Sequence, residues 1–190
     1  PRIEEVAVEI ITTALDGVIE IRAKRHGDER GWFSETFKRD VLRDAGINVD
    51  FVQDNESFSA PTGTLRGLHY QTAPHAQDKL VRVIHGSILD IAVDIRRSSP
   101  TFGQHIAVTL TADDAHRLLV PAGFAHGFCT LEPNVRVAYK VSGKYAPDSE
   151  RAIRWDDPDL AIGWQLPPGG PTLSDKDEIA PLFANQPDLF

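Results

Sequence analysis

The densest run of groups able to move protons is Leu65-Arg66-Gly67-Leu68-His69-Tyr70-Gln71, followed by Gln77-Asp78-Lys79-Leu80-Val81. In an extended strand side chains alternate, so His69 shares a face with Leu65 and Gln71, and Lys79 with Val81 and Val83. Both then point into whatever the sheet encloses. Alone, His69 reads as a hydrogen-bonded core histidine and Lys79 as a snorkelling strand edge. Together, in neighbouring β segments with inward parity, they read as a site for acid–base work. Tyr139, flanked at period 2 by Val137 and Val141, is either an amphipathic core residue or a general acid.

A second cluster is Pro121-Ala122-Gly123-Phe124-Ala125-His126-Gly127-Phe128, which sets His126 between two phenylalanines on one face. The other chemistries have weaker support. Among the seven histidines none forms His-x-His with a Glu close behind, the spacing with which ligands converge on a metal in cupin-type barrels. Cys129 has no His/Asp partner in its local sequence, and there is no Gly-x-Ser-x-Gly elbow. A Gly-rich phosphate loop and a dinucleotide fingerprint are likewise missing.

Short strands must position these groups. Leu89, Ile91, Val93 and Ile95 alternate with Asp90, Ala92, Asp94 and Arg96, which predicts a strand with one buried face. The same period marks Ile106–Leu110 and Val135–Val141, with shorter β-rich runs at Val18–Ile21, Leu65–Tyr70 and Leu80–Ile84. Turn residues separate them, so the expectation is an all-β sandwich or barrel. A helix is expected over Glu35–Ala45, stopped by Gly46, and a single helical turn over Thr111–Ala115 capped by Thr111. The Pro- and Gly-rich tail from Leu166 is expected to wrap the body.

The 190 residues suit one domain spanning 1–190, with an N-terminal strand region and that tail. Hydrophobic residues at 41% and charged residues at 25% are those of a globular chain. A net charge of -8 argues against nucleic-acid binding, which needs dense phosphate neutralisation, though a local Arg/Lys cluster could hold one phosphorylated ligand. The single cysteine fits a reducing cytosol. The N-terminal stretch has no apolar signal core, and no run is long and apolar enough for a membrane span. A cytoplasmic location is therefore expected.

In order along the chain come Asp28-x-Arg30-Gly31-x-Phe33-x-Glu35, Gln53-Asp54-Asn55, Leu65-Arg66-Gly67-Leu68-His69-Tyr70-Gln71, Lys79-Leu80-Val81, Ala92-Val93-Asp94-Ile95-Arg96, Ser99-Pro100-Thr101-Phe102-Gly103, the Pro121–Phe128 cluster, Tyr139-Lys140 and Ser174-x-Lys176-Asp177. This succession resembles the dTDP-4-dehydrorhamnose 3,5-epimerase family from about Gly17 to Asp177. The resemblance implies a cupin-like double-stranded jelly roll with a few short helices, a homodimer, and no metal or organic cofactor. The implied reaction inverts C3 and C5 of dTDP-4-dehydro-6-deoxy-D-glucose to give dTDP-4-dehydro-L-rhamnose, in dTDP-L-rhamnose biosynthesis.

Carried over by motif, His69 resembles the general base, Asp177 its paired carboxylate, Tyr139 the general acid on the opposite face of the sugar, and Lys79 the cation that stabilises the enolate oxygen. Substrate contacts map onto Arg30, Phe33, Glu35, Gln53, Asn55, Arg66, His126, Glu150 and Lys176, with Tyr145 placed to stack on thymine. Asp175 competes with Asp177 for the dyad role. His105 stands where relatives more often carry Trp, and Asp78 where Gly is common. Arg66 has opposite strand parity to His69, so a shared ligand needs a bulge, a twist or a pocket shared between subunits. The alternatives are a mono-epimerase or keto-isomerase on a related dTDP-deoxysugar, or a metal- or ligand-binding cupin without turnover.

Overall fold

The computed structural model describes residues 8–190. Its main body is two antiparallel sheets packed face to face. One has six strands in the order β1 (Val8–Thr12), β2 (Ile19–Ala23), β10 (His116–Val120), β7 (Lys79–His85), β12 (Val135–Val141) and β5 (Gln53–Ser59). The other runs β13 (Glu150–Ala152), β6 (Leu65–Gln71), β11 (Phe124–Thr130), β8 (Ser87–Asp94) and β9 (His105–Thr111). The architecture is the cupin-like jelly roll. A separate hairpin joins β3 (His26–Asp28) to β4 (Gly31–Phe33). No helix among the described residues is long and apolar enough to cross a membrane.

Alternation in the strands sorts side chains into three apolar layers. Between the sheets, Val81, Val83, Leu118, Val120, Val135 and Val137 meet Ile88, Ala92, Leu110, Phe124 and Phe128. Outside the five-stranded sheet, Leu68, Tyr70, Leu89, Ile91 and Val93 lie under Ile153, Leu160, Trp164 and Phe183 of the C-terminal segment. Outside the six-stranded sheet, Ile21, Leu80 and Leu119 are covered by Leu42 and Ile47, with Phe37 and Phe51 against them. Each fully buried Leu or Ile contributes about 1.5–3 kcal/mol.

Strand β8 is therefore buried on both faces, not one. Its Leu89, Ile91 and Val93 lie beneath the tail, while Asp90 and Asp94 on the alternate face are fully buried. In the C-terminal segment Thr172 bridges to Thr64, and the Phe190 amide donates to the Ile95 carbonyl at 3.1 Å. The segment also contains a short helix, α2 (Asp175–Glu178), that its Pro and Gly content did not suggest.

Two helical expectations are corrected. The first helix, α1, covers only Arg39–Asp44, and residues 34–38 lie in neither helix nor strand. Its N-cap, Lys38, makes no side-chain cap bond, and Phe37 turns to meet Phe51 edge-on at 5.7 Å. The segment 111–115 forms no helical turn: Thr111 closes β9, pairing with Ser87, and a bend follows.

Candidate active site

Strands β6, β7 and β12 bring His69, Lys79 and Tyr139 to the junction of two adjoining cavities between the sheets. One has a volume of about 310 Å³ and is further lined by Arg66, His126, Lys176 and Asp177. The other, about 400 Å³, adds Gln53, Asn55, Gln71, Tyr145 and Glu150. His69 belongs to the five-stranded sheet; Lys79 and Tyr139 stand opposite on the six-stranded one.

A bulge decides which side Arg66 takes. On β11, His126 pairs with His69 and Phe128 with Arg66, so Gly67 and Leu68 together oppose the single Gly127. The extra residue resets the alternation. Arg66 joins His69 at the cavity, and Leu65, expected beside His69, turns to the other face. Gly67 has φ +132°, and a Cβ there would lie 2.5 Å from Gly127 Cα and 2.9 Å from the His126 carbonyl oxygen. Only glycine fits such an approach.

Asp177 reaches His69 from α2, with His69 Nε2 and Asp177 Oδ1 2.5 Å apart. The Ser174 hydroxyl caps this turn, accepting from the Asp177 amide at 3.3 Å. Asp177 is buried whereas Asp175 is exposed. Burial alone would raise the Asp177 carboxyl. The His69 bond and charge, the Ser174 hydroxyl and the Gly67 amide overcome it and hold the group below the usual carboxylate range. An ionised Asp177 fixes the orientation of the imidazole.

Lys79 Nζ donates to the His69 carbonyl at 3.3 Å. Burial pulls its pKa down to about 8, against the pull of Asp90 and Glu150. It is therefore a desolvated amine beside His69. Burial pushes the Tyr139 phenol up, partly countered by Arg66. The phenol thus keeps its proton throughout the neutral range.

His126 Nε2 lies 2.6 Å from Oδ1 of the fully buried Asp90, a second histidine–carboxylate pair. Lys176 Nζ pairs with Glu150 at 2.5 Å, and the Tyr145 hydroxyl donates to Glu150 at 2.8 Å. Burial acts to raise the Glu150 carboxyl, but these two partners hold it below its ordinary value. Within β5, Gln53 Nε2 donates to Asn55 Oδ1 at 2.8 Å. Arg66 is held by Ser59 Oγ at 3.3 Å and the Phe58 carbonyl at 3.1 Å. Arg66 and Lys176 supply positive charge at the mouth. Among the described residues no three His, Cys, Asp or Glu side chains converge to hold a metal.

Three expected contacts lie elsewhere. Arg30 pairs with Asp28 at 2.5 Å on the β3–β4 hairpin, Phe33 on that hairpin is 70% exposed, and Glu35 just beyond pairs with Lys38 at 3.7 Å. None lines either cavity of its own chain. His105 sits on edge strand β9, also away from the cavities. Asp78 ties the cavity rim, accepting from the Ala122 amide at 3.1 Å and from Ser142 Oγ at 2.7 Å. Sequence reasoning missed Ser57 and the Asp90 partner of His126, and gave Ser174, quoted in its motif, no role. Ser57 could have been found by continuing the alternation Gln53, Asn55, Ser57 along β5.

The profile of the dTDP-4-dehydrorhamnose 3,5-epimerase family matches residues 12–185. The dTDP-4-dehydrorhamnose 3,5-epimerase of Shigella flexneri is 48% identical over 169 residues, covering 88% of this chain and 92% of that protein. The crystal structure of a dTDP-6-deoxy-D-glucose-3,5-epimerase from Legionella pneumophila in complex with dTDP-4-keto-L-rhamnose superposes with a TM-score of 0.89 at 45% identity, covering 94% of each chain. A 3′-monoepimerase from Streptomyces bikiniensis in complex with dTDP-quinovose has a TM-score of 0.83 at 35% identity, covering 90% of this chain and 86% of that one.

Proposed function

The chain belongs to the dTDP-4-dehydrorhamnose 3,5-epimerase family and is an isomerase of that class; from this premise we propose that His69, Lys79, Tyr139 and Asp177 invert C3 and C5 of dTDP-4-dehydro-6-deoxy-D-glucose through enolates. The observation that carries the reading is that His69 and Tyr139 face one cavity from opposing sheets. Inversion at carbon needs a proton taken from one face and one delivered to the other.

His69 takes the proton α to the C4 ketone, and the C–H bonding pair moves into the ring as the carbonyl becomes an enolate. Lys79 meets the negative oxygen with a fixed, desolvated charge, the term expected to lower the barrier most. Asp177 stabilises the imidazolium so formed. Tyr139 then protonates the opposite face and the enolate collapses to the ketone; His69 gives its proton to solvent, the Tyr139 phenolate regains one from solvent, and the sequence repeats at the second carbon. Arg66 and Lys176 answer the diphosphate, which explains how a chain of net charge -8 holds an anionic substrate.

The enzyme acts as a cytoplasmic homodimer in which Arg30, Phe33 and Glu35 serve the partner's cavity. Their exposure on and beside a projecting hairpin, away from their own cavity, supports this. The buried thiol of Cys129, raised by burial to about 11, suits a reducing compartment.

Incubation with the 4-keto sugar nucleotide in deuterated water, followed by proton NMR, tests the reaction. Loss of both the C3 and C5 signals without added metal, abolished in His69→Ala, is expected. Exchange at one carbon only would assign a mono-epimerase, and exchange at neither would overturn the reading.

A further inference from the structure

Arg82 on β7 and Arg117 on β10 are direct cross-strand partners. Both have the parity opposite to Val81 and Leu118 of the inter-sheet core, so they lie on the outward face of the six-stranded sheet, away from Lys79. Like charges directly opposite on a sheet repel. Here the repulsion is made worse by burial, because Arg117 is only 5% exposed. Burial and then the charges of Arg82 and Arg25 push its pKa down to about 10. A charge taken out of water without a partner is costly.

Acidic groups of the region are engaged elsewhere. Glu20 pairs with His116 at 2.7 Å, Asp114 lies 3.9 Å from the other nitrogen of that ring, and Glu35 pairs with Lys38. Among the described residues no carboxylate pairs with Arg82 or Arg117. Arg25 completes the group. Its guanidinium donates to the carbonyls of Asp113 and Ala112, it stacks over Trp32 at 3.9 Å, and its Nε–H is buried without an acceptor. Arg25, Arg82 and Arg117, with Trp32 and Thr36, line a cavity of about 130 Å³.

We propose that Arg25, Arg82 and Arg117 form a binding site for a phosphate-class oxyanion on the outward face of the six-stranded sheet, separate from the catalytic cavity. A compact dianion there neutralises the cross-strand pair and supplies acceptors for the guanidinium forks, which match phosphate geometry. The anion is either free orthophosphate or the diphosphate group of a nucleotide.

Isothermal titration with inorganic phosphate, and separately with inorganic diphosphate, in a buffer free of both and at constant ionic strength set by chloride, tests the site. Binding to the unmodified protein is expected, weakened at least tenfold in Arg117→Gln and in Arg82→Gln but retained in Lys176→Gln, which alters the catalytic cavity instead. Orthophosphate binding weakened in Arg117→Gln would assign the free ion, and binding of diphosphate alone, weakened in Arg117→Gln but retained in Lys176→Gln, would assign the diphosphate group of a nucleotide. Thermal unfolding adds a second readout. Arg117→Gln should melt higher than the unmodified protein without phosphate and gain nothing on its addition, the reverse of a merely structural arginine. Epimerase turnover should be unchanged in Arg117→Gln.

Absence of binding by both anions, or binding untouched by both arginine substitutions, would overturn the proposal. So would a tenfold gain in phosphate affinity when Glu4 and Glu5, which precede β1 in the sequence, are both replaced by Gln. That outcome would make those acids the counter-ions.

Discussion

Arg66 and His69 face the same cavity although they lie three residues apart on one strand, because Gly67 and Leu68 together oppose Gly127. The bulge aims the proposed diphosphate-binding cation and the proposed base at one cavity. It depends on two glycine backbones passing within van der Waals contact, since a Cβ on Gly127 would also meet the Arg66 carbonyl oxygen at 2.8 Å.

Gly67→Ala should therefore destabilise the protein by about 2–4 kcal/mol, from steric overlap together with a positive φ. Chemical denaturation would register this as a lower midpoint with an unchanged slope. Any folded fraction should have lost both ligand affinity and turnover, because Arg66 and His69 move apart.

Asp177→Asn keeps the shape of the side chain and removes its charge. Turnover should fall by about 10²–10⁴, with substrate affinity changed much less. The pH dependence has a definite sign. The folded carboxyl lies below its ordinary 3.8, so its stabilising contribution is present above that value and is lost as pH falls through the folded one. Acid unfolding of Asp177→Asn should accordingly lose part of its steepness in that range.

Lys79 leads to a stability prediction of opposite sign. Its folded pKa of about 8 is below the ordinary 10.5, so between these values the unfolded chain binds the extra proton. Stability from this group rises with pH across that window. Lys79→Met should be inactive yet more stable at pH 7 by about 1–3 kcal/mol, while the unmodified enzyme should lose turnover as pH rises through about 8. Thermal melts and a pH–rate profile check both.

Tyr139→Phe should leave deprotonation intact and remove the proton donor of the opposite face. Solvent deuterium should still enter the substrate, but inverted product should form at least about 100-fold more slowly. Equal loss of exchange and inversion would show that Tyr139 does not act at the second step.

The sequence carried the groups proposed to do chemistry, and the β-rich runs at Leu65–Tyr70, Leu80–Ile84 and Val135–Val141 were enough to place their strands. Where a strand's inward face is polar, the same signal vanished. Gln53, Asn55 and Ser57 alternate inward along β5, yet nothing apolar marks that face. Asp90 misled in the other direction: its alternation with Leu89 and Ile91 suggested a solvent face, but it lies in the interior beside His126. Both failures have one cause, a cavity that replaces apolar contacts with polar ones.

Tertiary structure alone decided what residues distant in sequence do together. Asp177 meets His69 across 108 positions because the C-terminal segment brings α2 over β6, and nothing local to either residue encodes that approach. The choice of Asp177 over Asp175 is a matter of which face of one helical turn is buried. The side taken by Arg66 rests on a pairing between β6 and β11, so strand parity read from one segment predicts the wrong face. Local periodicity specifies which residues can form a strand; the register against a neighbour, set by close packing of Gly67 on Gly127, specifies where its side chains point.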